Sequence, residues 1–169
     1  MTRQENEICQ SFTLSLKVLC RKVLQIMPYL SKIENSEQVW SEVNAELIAV
    51  GIFENQKLTP LGQTLDKHLA GSISNAIRLK DLTGKPGESR TFYDSQRIIL
   101  VMGLGEEDNF DSEAVRKAGG SISKTALAMK VTSLAVECLC SCSEKSDCQA
   151  LAEGLVLGSY RFNAHRTDN

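Results

Sequence analysis

Apolar residues recur every three or four positions over residues 7–30, and this spacing predicts one amphipathic helix there. Pro28 is expected to end or kink the helix near Met27, because proline lacks the N–H that a helical hydrogen bond requires. Such a helix either packs on its own domain or a partner, or acts as a surface-active targeting segment. Residues 31–43 are polar and of mixed charge, which indicates a linker or a short helix.

The following part of the chain contains apolar runs that are typical of strands. AELIAVGIF (45–53), RIILVMGLG (97–105) and SLAVECLCSC (133–142) are largely apolar, as strands covered on both faces are. SRTFYD (89–94) is predicted as a further strand, next to a segment rich in turn-forming residues at 82–89. The sequence therefore predicts strands at all four places.

Helical patterns separate these strands. Leucine or isoleucine stands at every fourth position of residues 61–73, which predicts a helix with Thr59 as its N-cap and Pro60 at its first position. A second helix follows an acidic loop and is expected to be interrupted near Gly119 and Gly120, because glycine weakens a helix interior.

The last predicted helix begins near Asp147, a residue type suited to an N-cap. Gly154 and Gly158 each cost this helix about 1 kcal/mol relative to alanine, so we expect close backbone packing at these positions. The order of strands and helices predicts an α/β fold in which helices cover a mixed sheet.

Length and charge exclude several classes of protein. The 169 residues fit one domain, or one domain with an extension. The 19 basic and 21 acidic residues give a net charge of −2 without a strong basic patch, which argues against nucleic acid as a partner. No apolar run approaches the roughly 18 to 20 residues of a membrane span. Glu5 and Glu7 disfavour a secretory signal and a mitochondrial presequence, so we expect a cytosolic protein with reduced cysteines.

The strand ending in Gly103 and Gly105 is a candidate phosphate site, since Gly-x-Gly before a helix can hold phosphate. The third glycine of the dinucleotide fingerprint is missing. Glu106, Glu107 and Asp108 follow directly and would repel a phosphate. We therefore expect no nucleotide to bind here.

The cysteines are a candidate zinc site. On a strand, alternate cysteines face one side but are spaced by roughly 6.6 Å, which suits a tetrahedral metal poorly. Small buried thiols are the preferred interpretation. The cysteines concerned are Cys138, Cys140, Cys142 and Cys148.

Histidines and known catalytic motifs offer no active site. His68 lies on a predicted surface helix and His165 near the end of the sequence, neither with a carboxylate or cysteine at ligand spacing. We expect both to be solvated side chains. The chain contains no nucleophile elbow, HExxH or Walker pattern.

Four blocks of sequence carry a resemblance to a known family. In their order and at their separations, they resemble the N-terminal domain of the leucyl aminopeptidases, or cytosol aminopeptidases. The resemblance runs from about Ala45 to Arg161 and does not cover the first part of the chain. The blocks are GKPGESRTFYD (84–94), RIILVMGLGEED (97–108), AVRKAGGSISKTAL (114–127) and QALAEGLVLGSYRF (149–162).

The resemblance implies an α/β fold related to macro domains, with a mixed sheet flanked by helices. It implies a linker helix to a larger catalytic domain, which holds paired divalent metals (zinc, with manganese or magnesium exchange). That domain removes N-terminal residues, leucine preferred, from peptides by attack of metal-activated water. It also implies a hexamer with the N-terminal domains on the outside.

The family's metal-binding segments come after the last residue of this sequence, so we assign no catalytic, cofactor-binding or metal-binding residue to it. The resemblance implies only structural roles for residues of this chain. Gly84 and Gly87 are expected in a turn, residues 97–105 in a central strand, and residues 152–162 in the helix that leads to the catalytic domain.

We therefore expect a helical extension or linker at 1–43 and the leucyl aminopeptidase N-terminal domain at 44–169, with the catalytic domain absent. The expected function is support of assembly and of access to the active site. One alternative is a macro-like module that binds a nucleotide or ADP-ribose, and another is a truncated regulatory partner of the full-length hexamer. The expected partner is the catalytic domain of the same enzyme, with no nucleic acid or membrane. The expected location is cytosolic, or mitochondrial if the extension is a targeting segment.

Overall fold

The computed structural model describes residues 15–19, 32–36, 39–139 and 145–160. Within these ranges the chain forms six strands, which are β1 (Ser15–Leu19), β2 (Lys32–Ser36), β3 (Leu47–Phe53), β4 (Ser89–Tyr93), β5 (Ile98–Gly105) and β6 (Ser133–Glu137). The same ranges contain four α-helices, which are α1 (Pro60–His68), α2 (Ser72–Arg78), α3 (Ser112–Ala128) and α4 (Lys145–Ser159). A short 3₁₀ turn, Glu107–Asn109, follows β5.

The strands form one mixed sheet in the order β2-β1-β6-β3-β5-β4. The central strand β3 is parallel to β5 and to β6, whereas the other pairs are antiparallel. The carboxyl ends of β3, β5 and β6 therefore lie at one edge of the sheet. This arrangement confirms the α/β prediction of a mixed sheet flanked by helices.

The sheet separates two apolar cores. Leu47 and Ala49 of β3 pack in the core that also contains the buried residues of α3 and α4. Ile48, Val50 and Ile52 point to the other face, where α1 and α2 cover them. Every residue of β3 is buried, because successive side chains of a strand alternate between two covered faces.

The prediction of a helix over residues 7–30 is wrong at Ser15–Leu19, because these residues form strand β1. β1 pairs antiparallel with β6, and β2 pairs with β1, so the predicted linker at 31–43 also contains a strand. The sequence SLKVL alternates polar and apolar residues as well as fitting the helical spacing. One side of β6 pairs with β3, and β1 supplies backbone hydrogen bonds to the other side, which favours the strand. The rest of the predicted helix lies outside the described residues, and the domain boundary at 43/44 stays a prediction.

The predicted helix over residues 61–73 is two helices. The chain turns between them through Ala70 and Gly71, which have φ of 53° and 80°. The carboxylate of Asp66 accepts hydrogen bonds from the N–H of Ile73 at 2.8 Å and of Ser74 at 3.0 Å, and so caps α2. The four-residue spacing continues across the break because both helices cover the same core.

Helix α3 runs without interruption through Gly119 and Gly120, contrary to the prediction. Packing against α4 explains Gly119 and Gly154. A Cβ on Gly154 would lie 2.1 Å from the carbonyl oxygen of Arg116, and one on Gly119 would lie 2.8 Å from that of Leu151. Close helix packing therefore offsets the low helix propensity of glycine.

The start of α4 differs slightly from the prediction. The helix begins at Lys145, two residues before Asp147, which is in the first turn rather than at the N-cap. The hydroxyl of Ser112 donates a hydrogen bond of 2.8 Å to the Asp147 carboxylate. Asp147 thus joins the starts of α3 and α4. None of the helices in the described ranges combines the length and apolar character that a membrane crossing requires.

Candidate functional site at the carboxyl edge of the sheet

The Gly-x-Gly segment at the end of β5 binds another part of its own chain. The N–H of Gly103 donates to the carbonyl of Glu88 at 2.7 Å, and the N–H of Gly105 donates to that of Gly84 at 2.8 Å. A Cβ on Gly103 would lie 2.0 Å from the carbonyl oxygen of Lys85. Both amides that a phosphate would need already have partners, and the turn fills the space beside them.

The carboxylate of Glu88 holds that turn together. One oxygen accepts hydrogen bonds from the N–H and the hydroxyl of Thr83, at 2.9 and 2.8 Å, and from the N–H groups of Gly84 and Lys85, at 2.9 and 3.3 Å. Burial acts to raise the pKa of Glu88, but these hydrogen bonds outweigh it and hold the pKa below its ordinary value. The turn that fills the edge of the sheet is therefore organised by its own acidic residue.

Two glycines of the turn take the role that the family resemblance implies. Gly84 and Gly87 have φ of 84° and 81°, in the region that favours glycine. A Cβ on Gly84 would also lie 2.4 Å from the carbonyl oxygen of Phe53. The turn can pack on β3 only because this position has no side chain.

The acidic segment after β5 makes local contacts. The carboxylate of Glu107 accepts hydrogen bonds from Lys57 and from the side-chain amide of Asn55, the latter at 2.9 Å. The hydrogen bond from Lys57, followed by that from Asn55, lowers the pKa of Glu107. Asn109 likewise donates to Glu106 at 2.6 Å. This segment carries negative charge where a phosphate would have to sit, as the sequence predicted.

A buried glutamate, which the sequence analysis missed, lies at the same edge of the sheet. Glu137 ends β6 and is only 7% exposed. One carboxyl oxygen accepts from the N–H of Leu61 at 2.8 Å, and the other has no hydrogen-bond partner among the residues that the structure describes. Burial raises the pKa of Glu137 to about 7, against the hydrogen bond from the Leu61 N–H. The only signal in the sequence is a glutamate that directly follows a run of apolar strand residues.

Glu137 also changes the role predicted for Thr59. Thr59 precedes α1, as an N-cap does, but its side chain makes no cap hydrogen bond. Its hydroxyl instead donates to the carbonyl of Gly51 at 3.1 Å and accepts from the N–H of Gly51 at 3.2 Å. The Glu137 carboxyl binds the first turn of α1 in its place, because β6 ends beside it.

His68 has a carboxylate partner that its sequence neighbourhood does not show. Its Nε2 lies 3.1 Å from an oxygen of Asp94, and its ring meets the edge of Trp40 at 5.1 Å between centroids. The hydrogen bond from the Ser95 N–H, and then that from His68, lowers the pKa of Asp94. His68 is exposed, as expected of a solvated side chain, but it also has a carboxylate partner because the fold brings together residues far apart in sequence. His165 lies outside the described residues.

Cys138 does not lie on the strand predicted for it. β6 ends at Glu137, so Cys138 follows the strand, and its sulfur lies 2.8 Å from that of Cys148 in α4. Cys140 and Cys142 are outside the described ranges. Among the residues that the structure describes, no group of three or more His, Cys, Asp or Glu side chains could hold a metal ion. No metal chemistry is therefore assigned to them.

Comparison with known proteins decides the family. The family model described as "Cytosol aminopeptidase family, N-terminal domain" matches residues 49–169. The chain belongs to the cytosol aminopeptidase family. It carries the N-terminal domain of that family of hydrolases, as the four sequence blocks predicted.

Relatives in the cytosol aminopeptidase family are much longer. The cytosol aminopeptidase of Dictyostelium discoideum is 31% identical over 140 residues, which are 78% of this chain and 26% of that protein. The probable cytosol aminopeptidase of Alkaliphilus oremlandii is 28% identical over 144 residues, which are 80% of this chain and 29% of that protein. The chain thus spans between a quarter and a third of the length of these curated relatives.

Solved structures share the fold. A mutant of tomato leucine aminopeptidase superposes with a TM-score of 0.62 at 26% identity, covering 78% of this chain and 28% of that one. The bottromycin maturation enzyme BotP in complex with Mn gives a TM-score of 0.53 at 19% identity, over 73% of this chain and 25% of that one. The second likeness is one of fold alone.

Proposed function

We propose that this chain is the non-catalytic N-terminal domain of a metal-dependent leucyl aminopeptidase, and that it supports assembly and shapes access to the active site. The observation that carries the proposal is the match of residues 49–169 to the N-terminal domain of the family. The chain spans 28% of the tomato leucine aminopeptidase mutant, which leaves most of such an enzyme for a catalytic domain.

In the proposed enzyme, the catalytic domain binds the divalent metal ions (zinc, manganese or magnesium) and cleaves N-terminal residues from peptides. The proposed assembly is a homohexamer. The proposed location is the cytosol, in keeping with the names of the relatives. A mitochondrial location follows instead if residues 1–43 act as a targeting segment. The net charge of −2 favours protein over nucleic acid as the partner.

The outer face of α4 supports a role in domain packing. The buried face of this helix packs on α3, whereas Val156, Leu157 and Tyr160 at its end are exposed. We name these three residues the α4 patch. Exposed apolar side chains grouped at one place are typical of interaction surfaces. We assign the catalytic domain of the same enzyme as the partner that covers the α4 patch.

A chimeric enzyme tests the proposal. The N-terminal part of the Dictyostelium enzyme is replaced by this 169-residue chain, and the product is compared with a variant that lacks any N-terminal part. Light scattering measures the oligomer, and hydrolysis of a leucyl substrate gives kcat and KM. We expect the chimera to assemble and to cleave the substrate, and the deletion variant to lose assembly or to change KM.

Two results contradict the proposal. One is a deletion variant that assembles and cleaves as the chimera does, because the domain would then support neither assembly nor access. The other is cleavage of the leucyl substrate by the purified 169-residue chain alone, blocked by a metal chelator. In that case the chain itself would be catalytic.

A further inference from the structure

Two cysteines that the proposed function does not use lie side by side. The sulfur atoms of Cys138 and Cys148 are 2.8 Å apart. A disulfide bond is about 2.05 Å long, so the two sulfurs need to approach by less than about 1 Å to form one. Both side chains are half-buried, which leaves them within reach of a small molecule.

Buried and hydrogen-bonded neighbours adjoin both cysteines. Cys138 stands between the buried residues Glu137 and Leu139, directly after β6. Cys148 lies in the first turns of α4, whose start is joined to α3 by the Ser112–Asp147 hydrogen bond. The proximity of the sulfurs is therefore a consequence of how β6 and α4 pack.

We propose that Cys138 and Cys148 form a reversible disulfide by exchange with a small disulfide of the glutathione type. The proposal rests on the geometry of this pair and is independent of the aminopeptidase proposal. Intracellular disulfides are typically transient and redox-sensing, which fits a pair that is close but half-buried.

The exchange takes place in two steps. The thiolate of Cys148 attacks one sulfur of oxidised glutathione, which forms a mixed disulfide and releases one glutathione thiolate. The Cys138 thiol then loses its proton to solvent and attacks the Cys148 sulfur, releasing the second glutathione. In sum, two protein thiols are oxidised to one disulfide, and one oxidised glutathione is reduced to two glutathione molecules.

The disulfide would fasten the start of α4 to the end of β6. It closes a loop over residues 139–147, which also contains Cys140 and Cys142. A bond across a loop of this length restricts the unfolded chain, so the oxidised protein should melt roughly 5 °C higher than the reduced one.

The test uses the full 169-residue chain in buffers of increasing oxidised-to-reduced glutathione ratio. The reaction is quenched with acid, remaining thiols are alkylated under denaturing conditions, and disulfide-linked peptides are identified by mass spectrometry. We expect a Cys138–Cys148 linkage that accumulates with the ratio and disappears on addition of dithiothreitol. The double variant Cys140→Ser/Cys142→Ser should keep the linkage, whereas Cys148→Ser should leave Cys138 alkylated.

The same experiment in guanidinium is the structural control. Unfolding removes the packing of β6 on α4, so the linkage should form there only at a higher ratio. The proposal is overturned if Cys138 and Cys148 stay alkylated while other cysteines are oxidised, or if the unfolded chain forms the same linkage at the same ratio. Neither result depends on whether any serine variant folds.

Discussion

Glu137 is an acid in an apolar position, and its protonation is coupled to folding. Its pKa is raised by burial from an ordinary value of 4.5 to about 7. A carboxyl group whose pKa is raised in the folded state stabilises the fold below its unfolded pKa, and that stability is lost as pH rises through the folded pKa. The shift corresponds to about 3 kcal/mol of unfolding free energy, lost between about pH 4.5 and pH 7.

Substitution Glu137→Gln removes this titration while keeping the shape of the side chain. We expect the unfolding free energy of the variant, relative to the wild type, to rise by about 3 kcal/mol from about pH 4.5 to pH 8. Urea unfolding at several pH values measures the difference. Other titrating groups cancel between the two proteins, and any fixed cost of the amide changes the offset but not the slope. A difference that does not vary with pH would contradict the assignment.

Glu88 should respond to pH in the opposite sense. Its pKa is lowered in the folded protein, so its stabilisation is present above the unfolded pKa and is lost as pH falls through the folded one. Glu88→Gln removes the charge from four hydrogen bonds, and we expect a loss of about 1 kcal/mol near neutral pH that shrinks in acid. Urea unfolding checks this, with Glu54→Gln as a matched control on an exposed glutamate. Equal losses in both variants would show that Glu88 does not organise the turn.

At the scale of elements, the contact between α3 and α4 allows a paired test of glycine. Gly154→Ala would place a Cβ 2.1 Å from the Arg116 carbonyl oxygen, whereas Gly120→Ala would place one 3.6 Å from that of Gly154, an ordinary contact. We expect the first variant to lose about 1 to 3 kcal/mol despite its better helix propensity. We expect the second to be neutral, or more stable by up to about 1 kcal/mol.

Thermal and urea unfolding of the two alanine variants, with the wild type alongside, measure this difference. Both substitutions add one methyl group to a helical glycine, so intrinsic propensity affects them alike. Equal stability of the two variants would mean that α3 and α4 are not held as close as the structure places them.

At the scale of the whole molecule, we expect the α4 patch to affect assembly or KM of the larger enzyme and not the stability of the isolated chain. Leu157 is 66% exposed and Leu79, which directly follows α2, is 62% exposed. Replacing either residue by aspartate should change the stability of the isolated chain by no more than about 0.5 kcal/mol, because neither side chain is buried. In the chimeric enzyme, Leu157→Asp should weaken assembly or raise KM, whereas Leu79→Asp should not. Equal effects of the two variants on the chimera would remove the α4 patch as the interface.

The sequence by itself determined the family, the strands β3, β4 and β5, and the presence of helices between them, but not where those helices break. The local sequence pattern is sufficient to predict these elements. β3 and β5 are apolar on both faces, and Pro60 fits the first position of a helix. The family blocks add to this because their order and spacing are properties of the chain alone. The unsuitability of Gly103 and Gly105 for phosphate was also predictable, because the acidic residues follow them directly.

Only the tertiary structure decided what depends on contacts between distant residues. SLKVL suits a helix or a strand, and its pairing with β6 selects the strand. Gly119 stays within α3 because α4 approaches closely there. The environment of Glu137 and the Cys138–Cys148 contact also depend on neighbouring elements. Local patterns record the preference of a segment, whereas burial, close approach and pairing depend on which other segment the fold places beside it.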